Sequence, residues 1–512
     1  MRRSRGLAAV AAGLLALAVA ATGCAKPTTS QSGGQSPGGS QQTGSGTQGA
    51  KEMTVLIRMM DAQDQYFREN ILKKFEQEKG VKLNVVTFDK EDDVLEMLRI
   101  EKESGKHTIG LVKTVDTLVT PLVEQGYLMP LKEIVGEEQL QKDLAEYAED
   151  AVQFGTKNGV VYYIPRKLET NTMLYSKSKV AEAVQNWRKF EAELNEAVKK
   201  HNGFGLPKGF EVEADPNQWD WYDLLAVGYY WANTEYNGVK TGRIAHRTRK
   251  YEGTTTEIFT KVLQAGGQPE DMLNGDTDAV VDAFAWEALQ KELGIYNPRM
   301  FTEEWTGGSI WQAIAEGQVF LSFMHQIDAF FVHGGSHPTM QGYMPDPDDM
   351  GLAIMPAGVS LAMNPDGTPK RVGTHMSNAS GWWWGIPATS PDPKLSYELA
   401  RFITSYEVHL AESKAFGMMP IRKDVLDGLD QAFEEPWMRD VFRVAKAQYE
   451  AGTAFKPTLK AWPQVSNQWL EAWHDIIGGG KYLKDGRIDL ETIRQHLKPH
   501  AEKIRSFAST GN

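Results

Sequence analysis

The side chains that could do chemistry point in few directions. Cys24 is the only cysteine among 512 residues. An intramolecular disulfide, a CxxC redox pair and a cysteine-rich zinc site are therefore excluded. Acids are plentiful, but the adjacent pairs Glu303-Glu304 and Glu434-Glu435 cannot each flank one glycosidic bond, which takes two opposed carboxylates about 5–9 Å apart. No nucleophile elbow or phosphate loop is present. The acidic runs Asp346-Pro347-Asp348-Asp349 and Asn274 to Asp278 lack the spaced EF-hand pattern and read as solvated turns. His333 and His337 make a poor zinc site without further ligands. Arg243 to Lys250 (RIAHRTRK) reads as a solvated basic loop. The 14 tryptophans are a surplus that calls for a role beyond the core, since an indole is also a platform for flat apolar faces.

The charge balance narrows the partners. A net charge of −12 argues against nucleic acid, because a phosphate backbone needs a basic face. The length and the 41% hydrophobic content allow two or three lobes with real cores.

The first 50 residues are read as separate from the fold. Met1-Arg2-Arg3-Ser4-Arg5 precedes an apolar run from Leu7 to Ala21, the pattern of a secretory signal and short of the about 20 residues of a membrane span. The run ends Ala21-Thr22-Gly23-Cys24, which resembles a bacterial lipobox with Ala where Leu is usual. Residues 1–23 are thus expected to be a lipoprotein signal peptide, and Cys24 to carry a diacylglycerol anchor in the cell membrane. Residues 24–50 are nearly all Ser, Gly, Gln, Thr and Pro and read as a disordered tether reaching roughly 25–30 Å.

The elements that position any site begin at Met53. Met53 to Met60 is a buried strand by its apolar run, and Gln65 to Lys79 puts Phe67, Ile71, Leu72 and Phe75 on one helical face. Gly80 sits where a helix-ending glycine belongs, and Val81 to Val85 alternates as a strand does. Strand, helix and strand in this span predict a parallel βαβ unit and an α/β fold. Ligands in such sheets bind beyond the carboxyl ends of the strands. That places Asp61 and Gln63 of the loop Asp61–Asp64 at a binding edge, with Asp64 also expected to cap the following helix. Asn364-Pro365-Asp366-Gly367 reads as a hairpin turn.

The order of further segments is specific. Lys74-Phe75-Glu76 with Gly80 to Leu83, Leu122 to Leu131 (LVEQGYLMPL), Gly159 to Lys177 (GVVYYIPRKLETNTMLYSK), Gly266-Gly267, Glu316-Gly317-Gln318, Gly351 to Pro356 (GLAIMP), Gly381 to Pro391 (GWWWGIPATSP), Ala400 to Ile403 and Gly417 to Pro420 together resemble, in order, the extracellular solute-binding proteins of sugar ABC transporters. The resemblance covers about residues 53–480. It implies a type II periplasmic-binding-protein-like fold of two α/β lobes with hinge crossovers near Ile164–Leu168 and Ser380–Ile386 and an interlobe ligand cleft. The implied lobes are discontinuous: 51–164 plus 385–455, and 165–384 plus 456–512, with the final helices packing on the second.

The same resemblance implies function and site. A sugar offers apolar C–H faces to aromatic rings and a rim of hydroxyls to polar side chains. Pro463-Gln464-Val465-Ser466-Asn467-Gln468-Trp469 is similar to the P-Q-x-S-x-x-W segment of maltodextrin-binding members, whose Trp stacks on a sugar ring. Trp469 is therefore the leading ligand residue, with Trp462 beside it. Glu169 aligns with a crossover glutamate that bonds sugar hydroxyls; the alternative is a hinge salt bridge with Arg166 or Lys167, and Arg166 is also expected among the ligand contacts. Strand alternation sends Trp382 and Trp384 to one face and Trp383 to the other, and at least one of the three, Trp382 or Trp383 first, is expected in the cleft. The chain departs from the family pattern at Ile109-Gly110-Leu111, at Thr114 and at Met324-His325-Gln326-Ile327. Lys113, Asp116 and Gln326 remain as polar contacts there, and the aromatic role is expected to have moved to Trp219, Trp221 or Tyr251. The resemblance implies a monomeric, lipid-anchored extracellular binder, without cofactor or metal, that captures an oligosaccharide and delivers it to permease subunits. A membrane-anchored glycoside hydrolase, a binder of a non-sugar ligand and an adhesion lipoprotein are the alternatives.

Overall fold

The computed structural model describes residues 51–88, 90–335, 340 and 342–510. The signal, tether and Cys24 expectations, and His337, lie outside these residues. Strand β1 (Lys51–Ile57) buries Met53, Val55, Leu56 and Ile57 and runs parallel to β2 (Val81–Thr87), Lys51 opposite Val81 and Ile57 opposite Thr87. The helix between them buries Phe67, Ile71, Leu72 and Phe75 and stops at Gly80, whose φ of 65° is the left-handed conformation that glycine takes without a Cβ clash. The predicted βαβ unit is present, with one correction. Asp61–Asp64 is not a loop: the helix starts at Asp61 and passes through a π-helical stretch at Phe67–Leu72. Asp64 does not cap it but pairs with Arg68, 2.7 Å away and one turn on.

Strand β3 (Ile109–Val115) lies parallel to β1 on its other side. Two long strands then carry the chain across the molecule. All of β4 (Tyr163–Ser176) is buried. Its first half pairs antiparallel with a later strand, β8 (Ser377–Gly385). Its second half pairs with two strands that precede β8 in sequence, β6 (Leu321–His325) and β7 (Met350–Ala353). Short strands β5 (Ile244–Ala245) and β9 (Thr453–Phe455) complete a nine-stranded sheet, ordered β2-β1-β3-β8-β4-β6-β5, with β7 on β4 and β9 on β8. The two predicted crossovers are thus adjacent in the sheet, Glu169 opposite Ser380 and Leu168 opposite Gly381. A Cβ on Gly381 would lie 2.6 Å from the Lys167 carbonyl oxygen, so this crossing requires glycine.

The register slips between Trp382 and Trp383: Trp382 faces Lys167 and Trp383 faces Pro165, leaving Arg166 as the extra residue of a bulge. Proline, which has no N–H to give a ladder, is at home beside a bulge. Helices flank the sheet. Trp462–Trp473 and Leu490–Thr510 pack on each other and against Glu252–Gln264 and Asp278–Glu292. No helix among the described residues is long and apolar enough to cross a membrane.

The basic run Arg243 to Lys250 is the largest departure from expectation in this region. Arg243, His246, Arg247 and Thr248 are buried, and Ile244–Ala245 is strand β5. Arg247 bonds Glu257 at 3.0 Å and Asp328 at 2.9 Å, and His246 lies 2.5 Å from Glu287, which also pairs with Lys261. Hydropathy cannot register partners this far along the chain. The acidic runs are bound up as well: Asp278 pairs with Arg371 and Arg494, Asp276 with Arg505, and Asp349 accepts from Ser176 and Ser178. The expected hairpin turn is present at Asn364–Gly367, with Gly367 at φ 83°.

Candidate functional site

The crossover strands form a charged floor. Arg166, projected inward by the bulge, is 1% exposed and donates from Nη2 to Glu412 Oε1 at 2.5 Å, and Glu412 itself is fully buried. The guanidinium lies beside the stacked pair Phe67 and Trp384, 5.4 Å from the Phe67 centroid and 5.2 Å from that of Trp384. Gln63 Nε2 also reaches Glu412, at 3.4 Å, and Met418 Sδ. Arg166 and Gln63 thus hold the helix Tyr406–Phe416 onto the crossover, while Asp61 is exposed to solvent. Lys113 donates to the Arg58 carbonyl at 2.6 Å and lies 4.0 Å from the Trp382 ring centroid. Burial, with Arg166 and Lys167 adding like charge, pushes its ammonium well below the usual lysine range.

Beyond this floor, carboxylates and ammonium groups alternate. Glu169 pairs with Lys167. Burial raises its pKa, but Lys167, His325 and Lys113 outweigh burial and hold it at about 2. Asp116 begins the helix Asp116–Glu124 and is 2% exposed, and neither carboxylate oxygen completes a hydrogen bond among the described residues. Burial pushes it up to about 6, only partly offset by Lys456, whose Nζ is 3.9 Å away. Lys456 also pairs with Glu252 at 2.8 Å. Glu252 in turn accepts from the Trp462 indole N–H at 3.0 Å and from the Ser466 hydroxyl at 2.6 Å.

This chain of contacts leads to an open cavity of about 650 Å³. Its walls come from parts of the chain far apart in sequence. One wall holds Lys90, Leu95, Thr117, Leu118, Pro121 and Gln125; the other holds Lys250, Tyr251, Glu252, Lys460 and, from the helix Trp462–Trp473, Trp462, Pro463, Gln464, Ser466, Asn467 and Leu470. Three helices start there: Glu91–Ser104, Glu252–Gln264 and Trp462–Trp473. Tyr251 and Trp462 are the aromatic side chains of the lining. The cavity therefore offers rings, hydroxyls, amides and ammonium groups, and of the described residues lining it only Glu252 is a carboxylate.

Of the residues expected at the ligand, half-buried Tyr251 and Trp462, only 1% exposed, border the cavity; Asp116 and Glu169 do not line it, and Asp116 reaches it only through Lys456 and Glu252. Trp382 is the partly exposed member of its run; Trp383 and Trp384 are fully buried, Trp383 donating to the Ala151 carbonyl and packing on Phe154. Trp469 is fully buried within its helix layer, its indole N–H 2.9 Å from the Met272 carbonyl. Gln326 is fully buried as well. Its Oε1 accepts from the Thr170 N–H at 2.9 Å and its Nε2 donates to the Leu168 carbonyl at 3.3 Å, so it closes the gap that opens where β4 changes neighbours. Trp219 and Trp221 are core residues. Glu252, Lys456 and Glu412 were not singled out by sequence, because none sits in a motif and each acts through a distant partner.

The comparisons with known proteins agree with this architecture. A sequence profile described as bacterial extracellular solute-binding protein matches residues 70–441. No curated protein sequence matches significantly. Among solved structures, maltose-bound MalE3 of T. maritima is similar with a TM-score of 0.64 at 15% identity, over 89% of this chain and 100% of that one. The GacH receptor of Streptomyces glaucescens, solved unliganded and with acarbose, gives 0.63 at 14% identity, over 90% of this chain and 100% of the other. The cyclic alpha-maltosyl-1,6-maltose binding protein of Arthrobacter globiformis gives 0.61 at 16% identity, over 90% and 100%. At these identities the likeness is one of fold.

Proposed function

This chain belongs to the bacterial extracellular solute-binding protein family, and we propose that it captures a carbohydrate, an oligosaccharide, and delivers it to the permease of an ABC transporter. The observation that carries this reading is the cavity of about 650 Å³, where Tyr251 and Trp462 stand beside hydroxyl and amide side chains. Rings cover sugar C–H faces, and the polar groups replace the water that desolvated hydroxyls lose. Asp116 adds support: a buried carboxylate with both oxygens unbonded among the described residues is an acceptor for sugar hydroxyls when the halves separate. The names of the similar structures, with maltose, acarbose and a cyclic maltosyl-maltose, agree in ligand class.

Binding without turnover fits the same lining. Glycoside hydrolysis takes two opposed carboxylates, whereas Glu252 is committed to Lys456, Trp462 and Ser466. We read residues 51–164 with 385–455 as one lobe and 165–384 with 456–512 as the other, closing about the paired crossovers β4 and β8. Tyr251, Trp462, Asp116, Glu169 and Trp382 are the proposed ligand residues, with Trp469 backing the wall that Trp462 presents. The anchor is proposed on Cys24, which would hold the protein, as a monomer, at the outer face of the cell membrane.

Calorimetric titration of the purified full chain with a panel of oligosaccharides tests the reading. Trp462→Ala is expected to weaken whichever glycan binds by about tenfold or more; unchanged affinity sinks the stacking role, and turnover of the glycan sinks the binder. Cys24→Ser is expected to release the protein into the medium, and retention at the membrane refutes the anchor.

A further inference from the structure

We propose that the captured oligosaccharide is acidic, bearing a carboxylate or sulfate on its rings, an inference that rests on the carbohydrate-binding function above. The charge at the cavity mouth points there. Lys90, Lys250 and Lys460 line the cavity and are exposed. Among the described residues, none of the three ammonium groups is in an ion pair, hydrogen bond or ring contact. The one described carboxylate of the lining, Glu252, already faces Lys456. On the crossover, outside the cavity lining, Arg166 is matched by Glu412, and Lys167 by Glu169. The crossover thus compensates itself, while the described lining of the mouth holds three lysines against one carboxylate that is already paired.

The backbone adds to this field. The helices Glu91–Ser104, Glu252–Gln264 and Trp462–Trp473 direct their N-terminal ends at the cavity. Each end contributes partial positive charge that favours an anion, although at Trp462–Trp473 the N–H groups of Trp462, Gln464 and Val465 already bond the Leu459 and Ala461 carbonyls. Asp93 satisfies one such group, the Lys90 N–H, at 3.0 Å. A neutral sugar gains only ordinary hydrogen bonds from the three lysines, which water supplies equally well. An anionic ring substituent gains charge-assisted hydrogen bonds while Tyr251 and Trp462 cover its sugar face. The same mouth would steer an acidic glycan in from solution, an effect that salt weakens.

The test is calorimetry on the full chain with oligogalacturonate, oligoalginate and chondroitin sulfate fragments. Each is paired with its carboxyl-reduced or desulfated counterpart, with maltotetraose as a neutral reference, at low and high salt. At least one acidic glycan is expected to bind about tenfold or more tightly than its neutral counterpart, and to loosen as salt rises. Lys250→Ala with Lys460→Ala should remove about tenfold from the acidic ligand and narrow its advantage over the neutral counterpart; an undiminished advantage overturns the role of the lysines. The reduced and desulfated arms identify which anion is read. Equal binding of acidic and neutral counterparts, or binding of maltotetraose alone, overturns the acidic preference and leaves the carbohydrate reading standing. If no glycan binds, both fall.

Discussion

The crossover floor and the cavity mouth use the same residue types to opposite ends. At the floor, Arg166 and Glu412 are both nearly inaccessible and answer each other, as do Arg247, Glu257 and Asp328 behind β6. Burying charge is costly unless each ion finds a partner, so these groups are committed to the fold. At the mouth, Lys90, Lys250 and Lys460 stay in water and hold no partner among the described residues. They cost little to keep and are free to meet a ligand. Charge serves architecture where it is compensated and recognition where it is not.

That contrast can be broken or sharpened by substitution. The largest effect is expected at the floor. Glu412→Ala strands the Arg166 guanidinium in the interior and should cost about 3–5 kcal/mol in chemical denaturation. Replacing both partners, Arg166→Met with Glu412→Leu, should recover most of that loss. A loss below about 1 kcal/mol in the single variant would mean that the pair is screened like a surface bridge.

The next effect depends on pH. His409 Nε2 accepts from the Ile421 N–H at 3.1 Å, so the ring must be neutral at that nitrogen. Burial, with Arg166 and Arg422 adding, pushes its pKa down to about 3 from an ordinary 6.5. The unfolded chain therefore takes up the proton first. The stability held by this histidine is whole above pH 6.5 and drains as pH falls toward 3, with a slope of about 1.4 kcal/mol per unit. His325, pushed down to about 3 by burial and by Arg247, acts in the same direction. Asp116, raised to about 6, acts in the opposite direction between its ordinary 3.8 and 6. Against the parent chain, His409→Gln should flatten the fall of melting temperature between pH 6.5 and 5; parallel curves would show that the imidazole is not held neutral. The smallest effect is expected at the mouth, where Lys250→Ala should change stability by no more than about 0.5 kcal/mol. A larger loss would mean that the lysine is structural and the contrast false.

Local pattern was legible and long-range pairing was not. The spacing of Phe67, Ile71, Leu72 and Phe75 placed one helix face, and Gly80 placed its end. The helix start was missed by one turn, because Asp61 and Gln63 look like loop residues until Glu412 and Met418 arrive to bury Gln63. Tyr251 and Trp462 were legible as aromatic candidates, and both border the cavity, Trp462 with only 1% of its surface exposed. Trp469 carried the stronger motif and lies in the core, since a motif records residue order and not which way an indole points.

By itself, the amino-acid order determined the α/β class, the two crossover strands, the family and an overall acidic charge. These follow from periodicity and segment order, which act over a few residues at a time or survive as a collinear series. Tertiary structure alone decided which charges are spent and which are free. Arg166 and Glu412 are 246 positions apart, and the cavity joins Thr117 to Trp462 across most of the chain. Whether a lysine is a strut or a ligand contact depends on the groups that folding brings within a few ångströms of it, because desolvation and pairing are properties of the assembled neighbourhood and not of the residue type.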